Sequence, residues 1–321
     1  MTEVLAIGVY RPQDEAALRE ATGADFVPEM ATAQALSEEA RAGIRAIAYN
    51  TGERFGAAEM DGFPGLGAIS NLAVGYDAID IAAATERGIV VTNTPDVLND
   101  DVADLAVAML LMQGRRLVQA EAFARSGDWG REGPFPLARK ISGGRAGILG
   151  LGRIGHDIAK RLVPFGMEIH YWSRSEKETP GWTYQPDPVA LARAVDYLIV
   201  AVVGGTETAG IVSAEVLDAL GPEGIVVNIS RGTTIDEGAM LDRLEDGRLA
   251  GAGLDVFLNE PKIDPRFAAL DNVVMLPHIG SATDTTRAEM ARLQRDNVIA
   301  FMEGRPVLTP VNPEAQGETG Q

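Results

Sequence analysis

Gly150-Leu-Gly152-Arg-Ile-Gly155 is the stretch that decides the fold. It follows the β-strand pattern AGILG and opens a helical pattern over residues 154–165. At such a junction the first glycine permits a tight turn, the second lets backbone approach a pyrophosphate, and the third lets strand and helix pack closely. Free N–H groups at the helix N-terminus attract the anion. The stretch predicts a dinucleotide-binding turn that also includes Arg153 and Ile154; the alternative is a glycine-rich turn without a ligand.

Short apolar runs alternate with amphipathic segments on both sides of this turn, which is the pattern of a parallel α/β sheet. Between two such series lies the helical segment Val102–Arg116, apolar on much of its surface and therefore expected at an interface. Ser126–Gly144 is rich in Gly and Pro and predicts an irregular arm. The tail over residues 306–321 is expected to fray.

Composition narrows the class of protein. A chain of 321 residues predicts two domains. Lys and Arg number 28 against 46 Asp and Glu, a net charge of −18, which argues against nucleic-acid and anionic-membrane partners. No cysteine is present, so thiolate catalysis and Cys-ligated zinc are excluded, and no metal site is predicted. No secretory signal or bilayer-spanning run is visible, so a soluble, cytoplasmic protein is expected.

The end of the next strand bears on which dinucleotide is bound. Enzymes that use NAD usually carry an acid there for the ribose hydroxyls. Here Trp172 stands at that place, followed by Ser173-Arg174-Ser175. The Arg174 guanidinium and two flanking hydroxyls suit a 2′-phosphate. NADP is therefore predicted, and NAD is the alternative if a shift of register brings Glu176 to the ribose. The other alternative is that Arg174 is a solvated turn residue.

Three further strand-end loops carry polar side chains suited to catalysis. Asn228–Gly232 presents Arg231, Leu254–Pro261 presents Asp255 and Glu260, and Leu276–Ala282 presents His278. Loops at the carboxyl ends of parallel strands line the ligand crevice. Residue type alone favours a structural role for His278, as for His156 and His170. The neighbouring loops favour a catalytic role instead. Reduction of a 2-keto acid needs a cation, an acid and a carboxylate that keeps the acid protonated, and Arg231, His278 and Glu260 are residues of these types.

The motifs taken together resemble the NAD(P)-dependent D-2-hydroxyacid dehydrogenase family. The matching segments, in chain order, are Val74–Asp77 with Ile79-Asp80, Asn93–Pro95, Val102–Asp104, Gly150–Gly155, Ser230–Gly232, Asp255–Phe257 with Glu260-Pro261, and Pro277–Gly280. Ser173–Ser175 and Pro134–Leu137 are most similar to the NADPH-preferring glyoxylate/hydroxypyruvate reductase branch. One departure is Gly204-Gly205, where the family often has a proline that contacts the cofactor.

The resemblance implies roles for individual residues. His278 would be the general acid toward the keto acid, Glu260 would hold and charge His278, and Arg231 would bind the substrate carboxylate and carbonyl. The remaining positions would contact substrate through Leu72 and the backbone of Val74 and Gly75, and cofactor through Asp255, which would hold the carboxamide, and Gly280.

The resemblance also implies an α/β fold of two Rossmann-like, doubly wound parallel-sheet domains with an active-site cleft between them. Residues 1–97 and 286–321 would form a flavodoxin-like substrate-binding domain, and residues 98–285 the dinucleotide-binding Rossmann domain. Residues 99–140 would form the interface of a homodimer.

The predicted function is that of an oxidoreductase. It would reduce a small 2-keto acid of the glyoxylate or hydroxypyruvate type to the D-2-hydroxy acid by hydride transfer from NADPH. Two alternatives remain: a D-hydroxyacid dehydrogenase that takes a larger substrate with NADH, and a dinucleotide-sensing scaffold without catalysis. Formate dehydrogenase is disfavoured, because the residue paired with the histidine is Glu260 and not a glutamine.

Overall fold

The computed structural model of the chain describes residues 2–316. Its contacts divide the chain into a first unit, Met1–Leu98 with Thr283–Gln321, and a second unit, Asn99–Ala282. The predicted junctions, after residue 97 and before residue 286, lie close to these. Among the described residues, no helix is both long enough and apolar enough to cross a membrane.

The first unit contains a five-stranded parallel sheet in the order β2-β1-β3-β4-β5. Its strands are β1 Val4–Gly8, β2 Asp25–Val27, β3 Ala46–Asn50, β4 Ala68–Asn71 and β5 Val90–Thr92. Its helices are α1 Pro12–Thr22, α2 Met30–Gln34, α3 Glu38–Gly43, α4 Ala57–Asp61, α5 Ile81–Glu86 and, near the end of the chain, α13 Asp284–Met302. Periodicity did not predict β2 or α2 to α4, because each is too short to show a period.

A buried side chain fastens α13 to the sheet of the first unit. Gln294 is 1% exposed, and its amide nitrogen donates to the carbonyl oxygens of Ser70 at 2.7 Å and Tyr49 at 3.1 Å. A buried amide must be satisfied in this way, because an unpaired one costs about 1–3 kcal/mol. The end of the chain thus completes the unit in which the chain begins.

The prediction that the tail frays is wrong over residues 306–316. Asn312 is buried, its side-chain oxygen accepts the N–H of Val91 at 2.7 Å, and its amide donates to Ile89 O at 3.0 Å. Asn312 thereby satisfies backbone groups along β5, the edge strand of this sheet. The Pro- and Gly-rich composition of the tail does not reveal such a contact, because the contact depends on a single side chain. Residues 317–321 of that prediction lie outside the described residues.

The second unit contains a seven-stranded parallel sheet in the order β12-β11-β10-β9-β6-β7-β8. Its strands are β6 Arg145–Leu149, β7 Glu168–Trp172, β8 Thr183–Tyr184, β9 Tyr197–Val200, β10 Ile225–Asn228, β11 Gly251–Leu254 and β12 Val273–Met275. Its helices are α6 Asn99–Arg115, α7 Leu117–Ser126, α8 Asp128–Glu132, α9 Arg153–Leu162, α10 Pro188–Ala194, α11 Ala214–Leu220 and α12 Glu237–Glu245. The two parallel-sheet units confirm the predicted α/β fold class.

The strand order of the second unit shows where a ligand belongs. β6 lies between β7 and β9, so the chain crosses from one side of β6 to the other after β8. In open α/β sheets, ligands bind outside the carboxyl ends of the strands at such a reversal. The glycine-rich turn Gly150–Gly155 follows β6 directly and therefore lies at this point.

One expectation about the segment after residue 98 needs correction, and one stays a prediction. One face of α6, including Ala103, Ala106 and Met109, is buried against α9 and β11 of its own unit, and the interface expected for this helix stays a prediction. The segment predicted as irregular contains the five-residue helix α8, which Gly and Pro content hid. The apolar side chains that stay exposed lie further along, at Leu117, Val118, Trp129 and Leu137.

Candidate active site

The three glycines of the turn after β6 have different surroundings. Gly150 has φ +106°, and a Cβ there would lie 2.7 Å from Val202 N. A Cβ at Gly155 would lie 2.1 Å from Gly150 O. At Gly152, by contrast, a Cβ would meet nothing within 4 Å. Packing therefore requires the first and third glycines, whereas the second faces open space at the start of α9, as a pyrophosphate cradle requires.

The loop after β7 carries two exposed cationic residues, Arg174 and Lys177, of which Arg174 was predicted to contact the cofactor. The Arg174 side chain is 89% exposed, and its Nη1 lies 3.9 Å from Glu207 Oε2. Ser173 is buried, and its hydroxyl donates to Ser175 O at 2.5 Å, so the hydroxyl proton forms a hydrogen bond within the turn. Glu176, the alternative ribose ligand, is exposed in the same loop. A guanidinium with this freedom can turn toward an anion at the crevice.

Glu260 and His278 form a hydrogen-bonded pair between the loops that follow β11 and β12. His278 Nδ1 lies 2.7 Å from Glu260 Oε2, and the other carboxylate oxygen accepts the N–H of Phe257 at 2.7 Å. Burial raises the pKa of Glu260, but these bonds and the charges of His278 and Arg231 outweigh it and hold that pKa below its ordinary value. Glu260 is thus an anion at neutral pH, so Nδ1 carries a proton and Nε2 is left for chemistry.

The backbone at His278 is strained and is held by Asp255. His278 has φ +54°, a region that non-glycine residues rarely adopt. Its N–H donates to Asp255 O at 2.9 Å, and the Asp255 carboxylate accepts the N–H groups of Ile279 and Gly280, each at 2.8 Å. Burial raises the pKa of Asp255, an effect that these two donors oppose. Asp255 therefore positions the loop that presents His278.

A buried asparagine shapes the loop after β10. The Asn228 amide donates to Arg231 O at 3.0 Å, and its oxygen accepts the N–H of Ser230 at 3.0 Å. The Ser230 hydroxyl donates to Val202 O, which ties this loop to the one after β9. The Arg231 guanidinium donates to Ser230 O at 2.8 Å and lies near enough to Glu260 to lower its pKa. The structure thus brings Arg231, Glu260 and His278 into one cluster.

No role was predicted from the sequence for two residues that support this cluster, Gly232 and Glu237. A Cβ at Gly232 would lie 1.9 Å from the carbonyl carbon of Phe257, so only glycine lets the loops bearing Arg231 and Glu260 meet. Glu237, in the first turn of α12, accepts the N–H of Leu258 at 2.9 Å, and burial raises its pKa. In the sequence Glu237 reads as an ordinary helix-start acid. A buried carboxylate has no local signal, because its partner is distant in sequence.

The predicted substrate residues belong to the first unit. Leu72 is buried and follows β4. The next loop is held by its carbonyls: Asn93 Nδ2 donates to Val74 O at 2.9 Å, and Asn71 Nδ2 donates to Gly75 O at 2.8 Å. The two asparagines therefore hold the backbone that was predicted to contact the substrate.

Known proteins share both the sequence and the fold of this chain. Residues 107–280 match the family described as D-isomer specific 2-hydroxyacid dehydrogenase, NAD binding domain. Hydroxyphenylpyruvate reductase of Plectranthus scutellarioides is 46% identical over 268 residues, 84% of this chain and 85% of that protein. Glyoxylate/hydroxypyruvate reductase A of Arabidopsis thaliana is 45% identical over 276 residues, 86% of this chain and 88% of that protein.

A solved structure extends the similarity to nearly the whole chain. It is the NADPH-dependent glyoxylate/hydroxypyruvate reductase of Sinorhizobium meliloti, in complex with NADP and malonate. The TM-score is 0.92 at 42% identity, and the match covers 97% of each chain. These similarities confirm the resemblance seen in the sequence: the chain belongs to the D-isomer specific 2-hydroxyacid dehydrogenase family.

Proposed function

We propose that this protein reduces a small 2-keto acid to the D-2-hydroxy acid with NADPH. The observation that carries the proposal is the Glu260–His278 pair beside Arg231, on loops that follow neighbouring strands of the unit with the glycine-rich turn. The bound nicotinamide supplies the hydride for the keto carbon. His278 gives the proton that the carbonyl oxygen needs, from Nε2, because Nδ1 is engaged by Glu260.

The other site residues bind and orient. Arg231 holds the substrate carboxylate and polarises the carbonyl, for which a planar guanidinium is suited. The contact of the Val74 and Gly75 backbone with substrate stays a prediction; the carbonyls of that loop accept from Asn93 and Asn71. Asp255 has further lone pairs beyond those used by Ile279 and Gly280, so it can also accept the N–H of a carboxamide.

The relatives support a small keto acid, and their names span different side chains. The Arabidopsis and Sinorhizobium relatives are named for glyoxylate and hydroxypyruvate, whereas the Plectranthus relative is named for hydroxyphenylpyruvate. The test is turnover of these three keto acids, each with NADPH and with NADH. We expect the highest kcat/KM for glyoxylate or hydroxypyruvate with NADPH. Turnover confined to the aryl keto acid, or to NADH, would contradict the proposal.

NADPH is proposed as the preferred cofactor, with NADH as a weaker substitute. Trp172 stands where an acid would select against a 2′-phosphate, and the exposed Arg174 supplies an attractive contact. The NADP bound to the Sinorhizobium relative supports this choice.

Replacing Glu260 by glutamine tests the proton chemistry. The carboxylate stabilises the protonated imidazole, and an amide does not, so we expect the pH midpoint above which reduction declines to fall. A second readout is stability, because the pKa of Glu260 lies below its ordinary value. Its stabilising contribution is present above the ordinary glutamate range and is lost as pH falls through the lowered pKa.

Two measurements check these expectations for the Glu260→Gln variant. Rates of glyoxylate reduction between pH 5 and 10 give the midpoint, and thermal unfolding at neutral and acidic pH gives the stability difference, which should shrink in acid. Glu245→Gln, an exposed acid at the end of α12, is the control. An unchanged pH profile would show that Glu260 does not act on His278.

A homodimer through residues 99–140 is also proposed. The exposed apolar side chains Leu117, Val118, Trp129 and Leu137 support it, since soluble monomers seldom expose such a group within one short segment.

Location of the protein in the cytoplasm stays a prediction.

Leu137→Asp tests the dimer without disturbing the fold. The Leu137 side chain is fully exposed in one chain, so the charge matters only where a second chain covers it. We expect wild type at twice 34.0 kDa by light scattering, and a shift toward 34.0 kDa in the variant. Val163→Asp, at an exposed apolar site after α9, should leave the mass unchanged. A monomeric wild type would contradict the proposal.

A further inference from the structure

Glu207 stands at the mouth of the proposed dinucleotide crevice. It lies in the loop after β9, where the family often has a proline and this chain has Gly204-Gly205. The Thr208 hydroxyl donates to Val203 O at 2.6 Å, which closes the loop on itself. The Glu207 side chain is left 84% exposed.

An ion pair joins this loop to the loop after β7. Glu207 Oε2 lies 3.9 Å from Arg174 Nη1, and both side chains are almost fully exposed. Because β7 and β9 flank β6, the pair connects the loops on either side of the glycine-rich turn. It therefore lies beside the place where a dinucleotide ribose is expected.

We infer that Glu207 weakens binding of the 2′-phosphate and so keeps NADH usable. The inference rests on the proposed role of Arg174. To meet a phosphate, the guanidinium must leave the Glu207 carboxylate, and the phosphate then sits near that negative charge. A 2′-hydroxyl carries no charge and meets no such repulsion. Glu207 thus decreases the difference in binding affinity between NADPH and NADH, whereas Arg174 increases it.

Glu207→Gln is the test, with dissociation constants measured by fluorescence titration of NADPH and NADH without substrate. Exposed charge pairs have small effects, so we expect NADPH to bind about two- to fivefold more tightly. NADH binding should not change, and high salt should reduce the NADPH effect. The matched control is Glu223→Gln, which removes an exposed charge at the amino edge of the same sheet.

The double variant Arg174→Ala/Glu207→Gln shows how Glu207 acts. Competition for the guanidinium predicts that the Glu207→Gln gain is smaller without Arg174. An unchanged NADPH constant in Glu207→Gln, or an equal gain for NADH, would overturn the inference. Wild type that binds NADH more tightly than NADPH would instead contradict the proposed cofactor preference, and a gain confined to NADPH would still support the role of Glu207.

Discussion

Replacing His278 by alanine should lower kcat for keto-acid reduction by about 10²- to 10⁴-fold, the usual contribution of a positioned general acid. The Glu260 carboxylate holds Nδ1 at 2.7 Å and leaves Nε2 to give its proton to the carbonyl oxygen. Cofactor affinity should stay the same, because the glycine-rich turn and Arg174 lie on other loops of the unit. Steady-state kinetics with glyoxylate and a fluorescence titration with NADPH measure the two effects.

A second substitution separates proton transfer from loop structure. His278→Gln keeps a polar side chain that donates a hydrogen bond but has no transferable proton, so its kcat should fall nearly as far. His170→Gln is the matched control, because His170 lies in β7 and its ring contacts Gln185 at 3.2 Å. A kcat within tenfold of wild type for both His278 variants would rule out His278 as the general acid.

Replacing Arg174 by alanine should weaken NADPH binding by about 10- to 150-fold. This range corresponds to one hydrogen bond to a charged group, about 1.5–3 kcal/mol, at about 1.4 kcal/mol for each tenfold. The guanidinium is 89% exposed, so solvent screening favours the lower end. NADH has no 2′-phosphate, and its dissociation constant should hardly change.

The comparison of the two cofactors decides the role of Arg174. Arg193→Ala, on α10 of the same unit, controls for the loss of one positive charge. Equal losses for NADPH and NADH in Arg174→Ala would place the side chain on the shared pyrophosphate or in the fold. Tighter binding of NADH than NADPH by wild type would instead direct attention to Glu176 as a ribose ligand.

Local rules explain how much of the fold could be predicted. The turn Gly150–Gly155 is recognisable in the sequence because its glycines are required locally, by a positive φ at Gly150 and by close packing at Gly155. The helical pattern predicted over residues 154–165 forms as α9, Arg153–Leu162, since it is long enough to show a period. Predictions were poor for short elements such as β2 and α8.

The candidate site shows the same division. Motifs after successive strands identified Arg231, Glu260 and His278 as candidates, because parallel strands bring their carboxyl ends to one edge. The sequence did not reveal that Asp255 holds the strained His278 backbone, nor that Gly232 lies against the backbone of Phe257.

The sequence by itself determined the family, the two parallel-sheet units and the order of the motifs, because glycine conformation, apolar periodicity and strand-end chemistry are written in neighbouring residues. Only the tertiary structure decided which distant groups meet: Glu237 with the Leu258 N–H, Asn312 with β5, and Glu207 with Arg174. Each of these contacts joins segments far apart in the chain. Its geometry depends on how the sheet and its loops pack, and no local pattern encodes it.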